Sequence, residues 1–122
     1  MAGNLTFGVV ICYDSSFAEP ARVMAGKGAT VLFVPTNNSL PMARKADRLV
    51  EEARACDLAR ALENTMWVVR ADVAGRSATH FSQGATAVVA PDGTIVCTAR
   101  RLVEDLLVVE LDSRRFIPHA SA

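Results

Sequence analysis

Short apolar runs alternate with helical patterns in the first half of the chain. Phe7–Cys12 and Thr30–Val34 are almost continuously apolar and contain several β-branched residues, which is typical of strands buried on both faces. Between them, Phe17–Lys27 has apolar residues at helical spacing and ends near glycines. This order of elements predicts a right-handed βαβ unit. Ser16 and Glu19 also fit a capping box at the start of the helix.

The longest helical pattern runs from Ala43 to about Asn64. Its apolar residues recur at the spacing of one buried helix face and are Ala46, Leu49, Val50, Ala53, Cys56, Ala59 and Leu62. Cys56 belongs to this stripe, so we interpret it as a core residue. Thr65–Val69 follows as a third predicted strand.

The second half of the chain has the pattern of β-structure. The third strand leads through Arg70–Gly75 into a predicted loop that ends near Gly84, followed by a hairpin of Thr86–Val89 and Thr94–Cys97 around a Pro-Asp-Gly turn. Leu106–Val109 is predicted as the last strand. The pattern as a whole indicates an α/β fold and a single domain over residues 1–122.

Composition and charge exclude several functions. The 122 residues are 51% hydrophobic, which indicates that something outside this chain covers part of its apolar surface. Lys plus Arg and Asp plus Glu number 13 each. Because no net field would recruit polyanions, we expect neither nucleic acid nor an anionic membrane as a partner.

The cysteines are three in number, far apart in the sequence, and without a Cys-x-x-Cys pair. This spacing argues against a disulfide framework and against structural zinc, and we expect no metal and no other cofactor. The chain shows no signal-peptide pattern and no apolar run of the roughly 18 residues that span a membrane. These features favour a reducing compartment, the cytoplasm.

Cys12 is the leading candidate for chemistry. It lies where an apolar strand stops and the polar segment after Tyr13 begins, a position that holds a side chain rigidly yet leaves it accessible. The alternative is ordinary, because unpaired cysteines are often buried and inert.

Three motifs in a fixed order carry a resemblance to a known family. They are Gly8 to Asp14 with Phe17, Glu19 and Arg22; Arg60 to Asn64 with Asp72 and Gly75; and Gly84 to Gly93. Together they resemble the nitrilase superfamily of carbon–nitrogen hydrolases over roughly residues 7–112. Ala18, Asp72 and Thr86 stand where that family more usually has proline, asparagine and serine.

The resemblance implies a fold and a reaction. The fold would be part of the family's four-layer α-β-β-α sandwich. Cys12 would attack an amide, nitrile or carbamoyl carbon and form a thioester, and the backbone amide of Tyr13 would help to hold the oxyanion. The family's glutamate base and lysine precede the cysteine, but the eleven residues before Cys12 contain no charged side chain. We therefore expect an incomplete site that is inactive in the isolated chain. We also expect the chain to associate, either as a homo-oligomer or with a complementing N-terminal half.

Residues of this chain offer few substitutes for the missing base. Asp14 and Glu19 have ordinary capping roles, and Lys27 and Lys45 have the pattern of solvated helix residues. Asn37 and Asn38 follow the strand next to that of Cys12 and are predicted to line the substrate crevice.

Two alternatives to a hydrolase stay open. The first is a non-catalytic interaction module that retains the fold. The second is a papain-like or redox cysteine protein, which requires His80 close to Cys12.

Overall fold

The computed structural model of the protein describes residues 5–41 and 47–111. Within these ranges the α-helices and strands follow one another as β1 Phe7–Val9, α1 Ala18–Gly26, β2 Val31–Thr36, β3 Leu40–Pro41, α2 Asp47–Asn64, β4 Trp67–Asp72, β5 Ala74–Arg76, β6 His80–Gln83, β7 Ala87–Val89 and β8 Ile95–Thr98. A 3-10 helix over Cys12–Ser16 separates β1 from α1. The predicted α/β class is confirmed.

The central sheet has five strands in the order β1, β2, β4, β7 and β8. The first three are parallel, and β7 and β8 continue the sheet in antiparallel fashion. Because α1 connects the adjacent parallel strands β1 and β2, it is the crossover helix of the predicted strand–helix–strand unit. The β7–β8 hairpin is also confirmed, with a bulge at Val88 and Val89.

Each face of the central sheet has its own apolar cluster. On one face, α1 and α2 cover a cluster that includes Leu32, Val34 and Val68, all almost completely buried. On the other, Val31 and Trp67 form a second cluster, against which the end of the described chain packs through Val109 and Leu111. The sheet is therefore the middle layer, with helices on one side and an irregular segment on the other.

The second face of the sheet is only partly covered. At its β1 edge the side chains of Phe7, Val9 and Ile11 are about half exposed. The segment that crosses this face carries Leu106 and Val108, which are 83% and 87% exposed. Exposed apolar side chains on one face of a sheet favour contact with a further apolar surface.

The strand predicted at Leu106–Val109 is wrong. The residues alternate between exposed and partly buried, but within the described ranges they belong to neither sheet. A strand needs a neighbouring backbone to take up its amides and carbonyls, and the local pattern does not reveal whether one is present.

The prediction of a loop that ends near Gly84 is also wrong in part. β4 extends to Asp72, and β5 and β6 pair in a second, three-stranded sheet with β3. These strands are short and rich in Gly, Ser and charged residues, so they lack the apolar alternation by which strands are recognised.

Helix α1 begins without the predicted capping box. Its N-cap is Phe17, and no side chain caps the helix. Glu19 instead bonds Arg22, with Oε2 accepting from Nε at 2.9 Å, and both side chains are about two-thirds exposed. Pro20 lies in the first helical turn, where the loss of its amide donor is tolerated.

The buried face of α2 differs from the apolar stripe. Val50 and Ala53 are buried as predicted, but Asp57, Arg60 and Ala61, which lie outside the predicted stripe, are buried with them, and Leu62 is exposed. Asp57 bonds the buried Arg70, and Arg60 reaches the carbonyl of Ser15, partners that the periodicity of apolar residues does not reveal.

The close approach of Gly84 to Ala74 offers a test of the packing in front of β7. It precedes β7 with a φ of +78°, and an added Cβ would lie 2.6 Å from that of Ala74. Gly84→Ala is therefore expected to lower the free energy of unfolding by about 2 kcal/mol in urea denaturation. Gly26→Ala is the matched control, because a Cβ there meets nothing within 4 Å. An equal loss in the two variants would contradict the packing described.

Candidate functional site

Cys12 begins the 3-10 helix that follows β1. The strand ends at Val9 rather than at Cys12, although the Val10 amide still donates to the Phe33 carbonyl at 3.0 Å. Cys12 has a φ of 48°, in the left-handed region. This conformation is uncommon for a residue with a side chain and is concentrated at functional sites.

The thiol of Cys12 points to the loop after β2. Its Sγ donates to Oδ1 of Asn38 at 3.6 Å and lies 4.0 Å from the carbonyl oxygen of Asn37. The structure thus brings together Cys12, Asn37 and Asn38. β1 and β2 are neighbouring parallel strands, so the segments that leave their carboxyl ends meet at the same edge of the sheet.

A cleft of about 240 Å³ opens beside the thiol. Asn38 and Tyr13 border it on one side, and α2 contributes Glu52 and Cys56 on the other. Cys56 is half-buried and is not the fully enclosed core residue that the sequence predicts. Carboxylate, amide and two thiol groups therefore border a cavity large enough for a small polar molecule.

A buried ion pair lies beneath this cleft. Nε of Arg70 donates to Oδ2 of Asp57 at 2.9 Å, Nη2 donates to Oδ1 at 2.7 Å, and both side chains are almost completely buried. Nη1 of Arg70 donates to the hydroxyl of Thr36 at 2.9 Å. Burial opposes the charge of Arg70, but the bonds and charge of Asp57 outweigh it and raise the pKa of Arg70.

Ser15 joins the ion pair to the Cys12 turn. Nη2 of Arg70 donates to the Ser15 hydroxyl at 3.0 Å, and this hydroxyl donates to the Cys12 carbonyl at 2.7 Å. Nη1 of Arg60 reaches the carbonyl of Ser15 at 3.5 Å. Two arginines, one from α2 and one from β4, therefore hold the turn that carries Cys12.

Other charged candidates lie apart from the thiol or have partners. Glu19 and Arg22 form the exposed pair expected for a structural role, and that pair lowers the pKa of Glu19 through the side-chain bond. Asp14 is exposed in the turn, with its carbonyl accepting from the Phe17 amide. Lys27 is exposed just after α1, and Lys45 lies outside the described residues.

Tyr13 and His80 occupy different surfaces. The Tyr13 ring is 72% exposed and contacts Phe17 edge-on, with 5.1 Å between ring centroids. His80 is exposed on β6, its Nδ1 lies 2.9 Å from the Thr79 hydroxyl, and it is not among the residues that line the Cys12 cleft. The papain-like arrangement therefore gains no support.

Comparison with known proteins identifies the family. A family model described as carbon–nitrogen hydrolase matches residues 2–118. The chain belongs to the carbon–nitrogen hydrolases. The resemblance to the nitrilase superfamily seen in the sequence motifs is confirmed.

Individual relatives agree with the family match. The chain is 33% identical to a nitrilase of Pyrococcus abyssi over 110 residues, which cover 90% of this chain and 38% of that protein. A carbon–nitrogen hydrolase from Helicobacter pylori G27 has the same fold, with a TM-score of 0.81 and 21% identity, over 95% of this chain and 46% of that one. This carbon–nitrogen hydrolase chain thus spans less than half the length of these relatives.

A third relative is a mutant of the amidase from Nesterenkonia sp. AN1. In the structure of that mutant, the acetamide moiety of fluoroacetamide is covalently added at the active site cysteine. The two chains are 26% identical with a TM-score of 0.59, over 76% of this chain and 34% of that one.

Two further properties concern metals and membranes. In residues 5–41 and 47–111, no group of three or more His, Cys, Asp or Glu side chains is arranged to hold a metal ion. Over the same part of the chain, neither helix has the length and apolar character needed to cross a bilayer.

Asp72 of this carbon–nitrogen hydrolase is held at the end of β4. Its Oδ2 accepts from the Ala85 amide at 2.7 Å, and its own amide donates to the Thr86 hydroxyl at 2.8 Å. Burial raises the pKa of Asp72 above its ordinary value of 3.8, although the Ala85 amide opposes this.

Asp72→Asn tests whether burying the charged carboxylate of Asp72 lowers the stability of the fold. A raised pKa means that the folded state prefers the protonated carboxyl, so stability present below pH 3.8 is lost as the pH rises through the folded pKa. The asparagine variant keeps the acceptor and lacks the charge. We expect its advantage in urea denaturation to grow from pH 3.5 to pH 7, up to about 1 kcal/mol because solvent screens part of the effect. A difference in the free energy of unfolding that stays constant across this pH range would contradict a destabilising charge on Asp72.

Several residues of the site escape sequence reasoning. Ser15, Asp57 and Arg70 lie in three different elements and meet only in the fold. Asp57 and Arg70 carry a weak signal, since each interrupts an otherwise apolar helix face or strand. Such interruptions are resolved only once the partner is known.

Proposed function

We propose that Cys12 is the nucleophile of an amidase-like carbon–nitrogen hydrolase. The observation that carries the proposal is the placement of its thiol, at a left-handed residue after β1, 3.6 Å from Asn38 and beside a cleft. The active site cysteine of the Nesterenkonia amidase likewise acts as a nucleophile, since it is the residue to which the acetamide moiety of fluoroacetamide is added.

The reaction follows from the nucleophile. The Cys12 sulfur forms a bond to the amide carbon while its proton passes to a base, and the carbonyl electrons move onto oxygen. The base then protonates the departing amine as the carbon–nitrogen bond breaks, leaving a thioester. Water attacks the thioester, the acid departs, and the thiol is restored. Carbamoyl substrates follow the same steps, whereas a nitrile adds the thiol across its triple bond first.

Neighbouring groups have assigned roles in this proposal. The backbone amide of Tyr13 stabilises the oxyanion, because it follows the nucleophile in the turn. Asn37 and Asn38 contact the substrate, since the Cys12 thiol already faces the carbonyl of the first and the amide side chain of the second. A cleft of about 240 Å³ fits a small amide.

The base and the lysine are proposed to come from a complementing polypeptide. Glu52 borders the cleft, but its Oε1 accepts from Nε of Arg48 at 2.9 Å, and Glu19 is bonded to Arg22. The chain covers only 38% of the Pyrococcus abyssi nitrilase, so most of that relative has no counterpart here. We expect the isolated chain to have negligible amidase activity.

The open face of the sheet supports such a partner. The edge residues Phe7, Val9 and Ile11 and the crossing residues Leu106 and Val108 leave a broad apolar surface exposed. A partner layer, from a complementing half or from a second copy of this chain, would remove it from water. The same surface favours the second candidate function, a non-catalytic interaction module.

Labelling of the thiols separates the two functions. The hydrolase is expected to show faster alkylation of Cys12 than of Cys97, because its turn presents the thiol at the cleft. Equal, slow labelling of both cysteines would favour the module.

The direct experiment measures amide hydrolysis with and without a complementing half. The isolated chain is assayed with a simple amide, and again after mixing with the part of the Pyrococcus abyssi nitrilase that it does not cover. Activity is expected only in the mixture, in a fraction in which gel filtration shows both polypeptides. Turnover by the isolated chain that is lost in Cys12→Ala would place the base within this chain and contradict the complementation.

A further inference from the structure

We propose that Arg70 is a positioning residue for Cys12 and acts through the hydroxyl of Ser15. The inference deepens the proposed function, because it assigns the device that orients the nucleophile. Its basis is an unbroken series of hydrogen bonds from α2 to the Cys12 backbone.

Each link in this series has good geometry and is shielded from water. Asp57 fixes the Arg70 guanidinium through two nitrogens, at 2.9 and 2.7 Å. Arg70 donates to one lone pair of the Ser15 hydroxyl at 3.0 Å, and the hydroxyl proton is directed to the Cys12 carbonyl at 2.7 Å. Ser15 is 3% exposed and Arg70 is 2% exposed. In such surroundings each bond is stronger than at the surface.

The left-handed backbone conformation of Cys12 needs the support of these hydrogen bonds. A residue with a side chain relaxes to negative φ unless its neighbours hold it, and here the bond is to the carbonyl of that same residue. If the carbonyl were free, the peptide could rotate and carry the thiol away from Asn38. The series therefore sets where the sulfur points.

Stability alone does not explain a buried ion pair at this place. Exchanging such pairs for apolar residues of similar size is often neutral or stabilising, so we assign this pair to fixing one conformation of the turn. The planar fork of arginine can bind Asp57, Thr36 and Ser15 together, as observed. A lysine, with a single ammonium, cannot reproduce this geometry.

Hydrogen exchange of the full chain tests the proposal without any assay of activity. The reporters are the amides of Asp14 and Phe17, which donate to the carbonyls of Ile11 and Asp14 within the turn. In Ser15→Ala, both amides are expected to exchange about tenfold faster, the effect of losing one hydrogen bond, while those of the core residues Leu32 and Val68 are unchanged.

Two further variants separate positioning from charge. The double variant Asp57→Leu with Arg70→Met removes both charges, and Arg70→Lys keeps the charge without the fork. Both are expected to accelerate hydrogen exchange of the Asp14 and Phe17 amides as Ser15→Ala does. Adding Ser15→Ala to the double variant should not accelerate their exchange further. Ser82→Ala is the matched control, because Ser82 is a buried serine on β6.

A kinetic test of the same proposal uses the assembled enzyme, the complex of this chain with the complementing half. Ser15→Ala is expected to lower kcat about tenfold and to change KM less than twofold, because the sulfur is misplaced while substrate contacts are kept. The proposal would be overturned if hydrogen exchange of the Asp14 and Phe17 amides were unchanged in Ser15→Ala. It would also be overturned if this exchange became faster while kcat stayed the same. If no assembly is active, the proposed function fails, and the exchange result still decides the positioning.

Discussion

Replacing Cys12 with alanine is expected to reduce amide hydrolysis by the assembled enzyme by about 10⁴-fold or more. Without the sulfur no thioester forms, and only the binding groups and oxyanion donors are left to act on water. The measurement is the release of ammonia or amine from a simple amide by the mixture of both polypeptides. Binding of the amide should change little, because Asn37 and Asn38 are kept.

Cys97→Ala is the matched control for this variant. Cys97 is half-buried on β8 and packs against the Val31 cluster, away from the Cys12 cleft. It should lower stability slightly and leave kcat unchanged. Equal loss of activity in the two variants would contradict a specific role for Cys12 and point to a general effect on folding.

Replacing Asp57 with alanine is expected to lower the free energy of unfolding by about 3–5 kcal/mol. The substitution leaves the Arg70 guanidinium buried without its anion, which is the costly way to break such a pair. Urea denaturation followed by circular dichroism measures the loss. If the variant is too unstable to purify, its yield and protease sensitivity report the same effect.

Two comparisons isolate the cause. Glu19→Ala breaks the exposed pair with Arg22 and should leave the urea midpoint unchanged, because solvent screens that pair. The double variant Asp57→Leu with Arg70→Met should recover most of the lost stability. A double variant as unstable as Asp57→Ala would show that packing, and not the unpaired charge, is responsible.

The parts of the fold that follow from local pattern could be predicted from the sequence. The strands around Val9 and Leu32 and the long helix are recognisable because burial on both sides, or on one helix face, leaves a regular apolar signature. The same applies to the hairpin, whose Pro-Asp-Gly turn specifies its geometry. The placement of Asn38 beside Cys12 follows from a rule of parallel sheets.

The parts that depend on partners distant in sequence could not be predicted. Asp57 and Arg70 stand in the sequence only as interruptions, since nothing local shows that they bind each other and Ser15. Leu106–Val109 has the composition of a strand, but pairing requires a neighbour that the described chain does not provide. The capping box failed because Glu19 bonds Arg22 instead.

The most direct test of the account is the mass of a trapped adduct on the assembled enzyme. After reaction with fluoroacetamide, peptide mapping is expected to show an added acetamide moiety on the peptide that contains Cys12, and none on those of Cys56 and Cys97. Ser15→Ala should form the same adduct more slowly. Modification of Cys56 in preference to Cys12, or equal modification of all three cysteines, would contradict the assignment of Cys12 as the nucleophile.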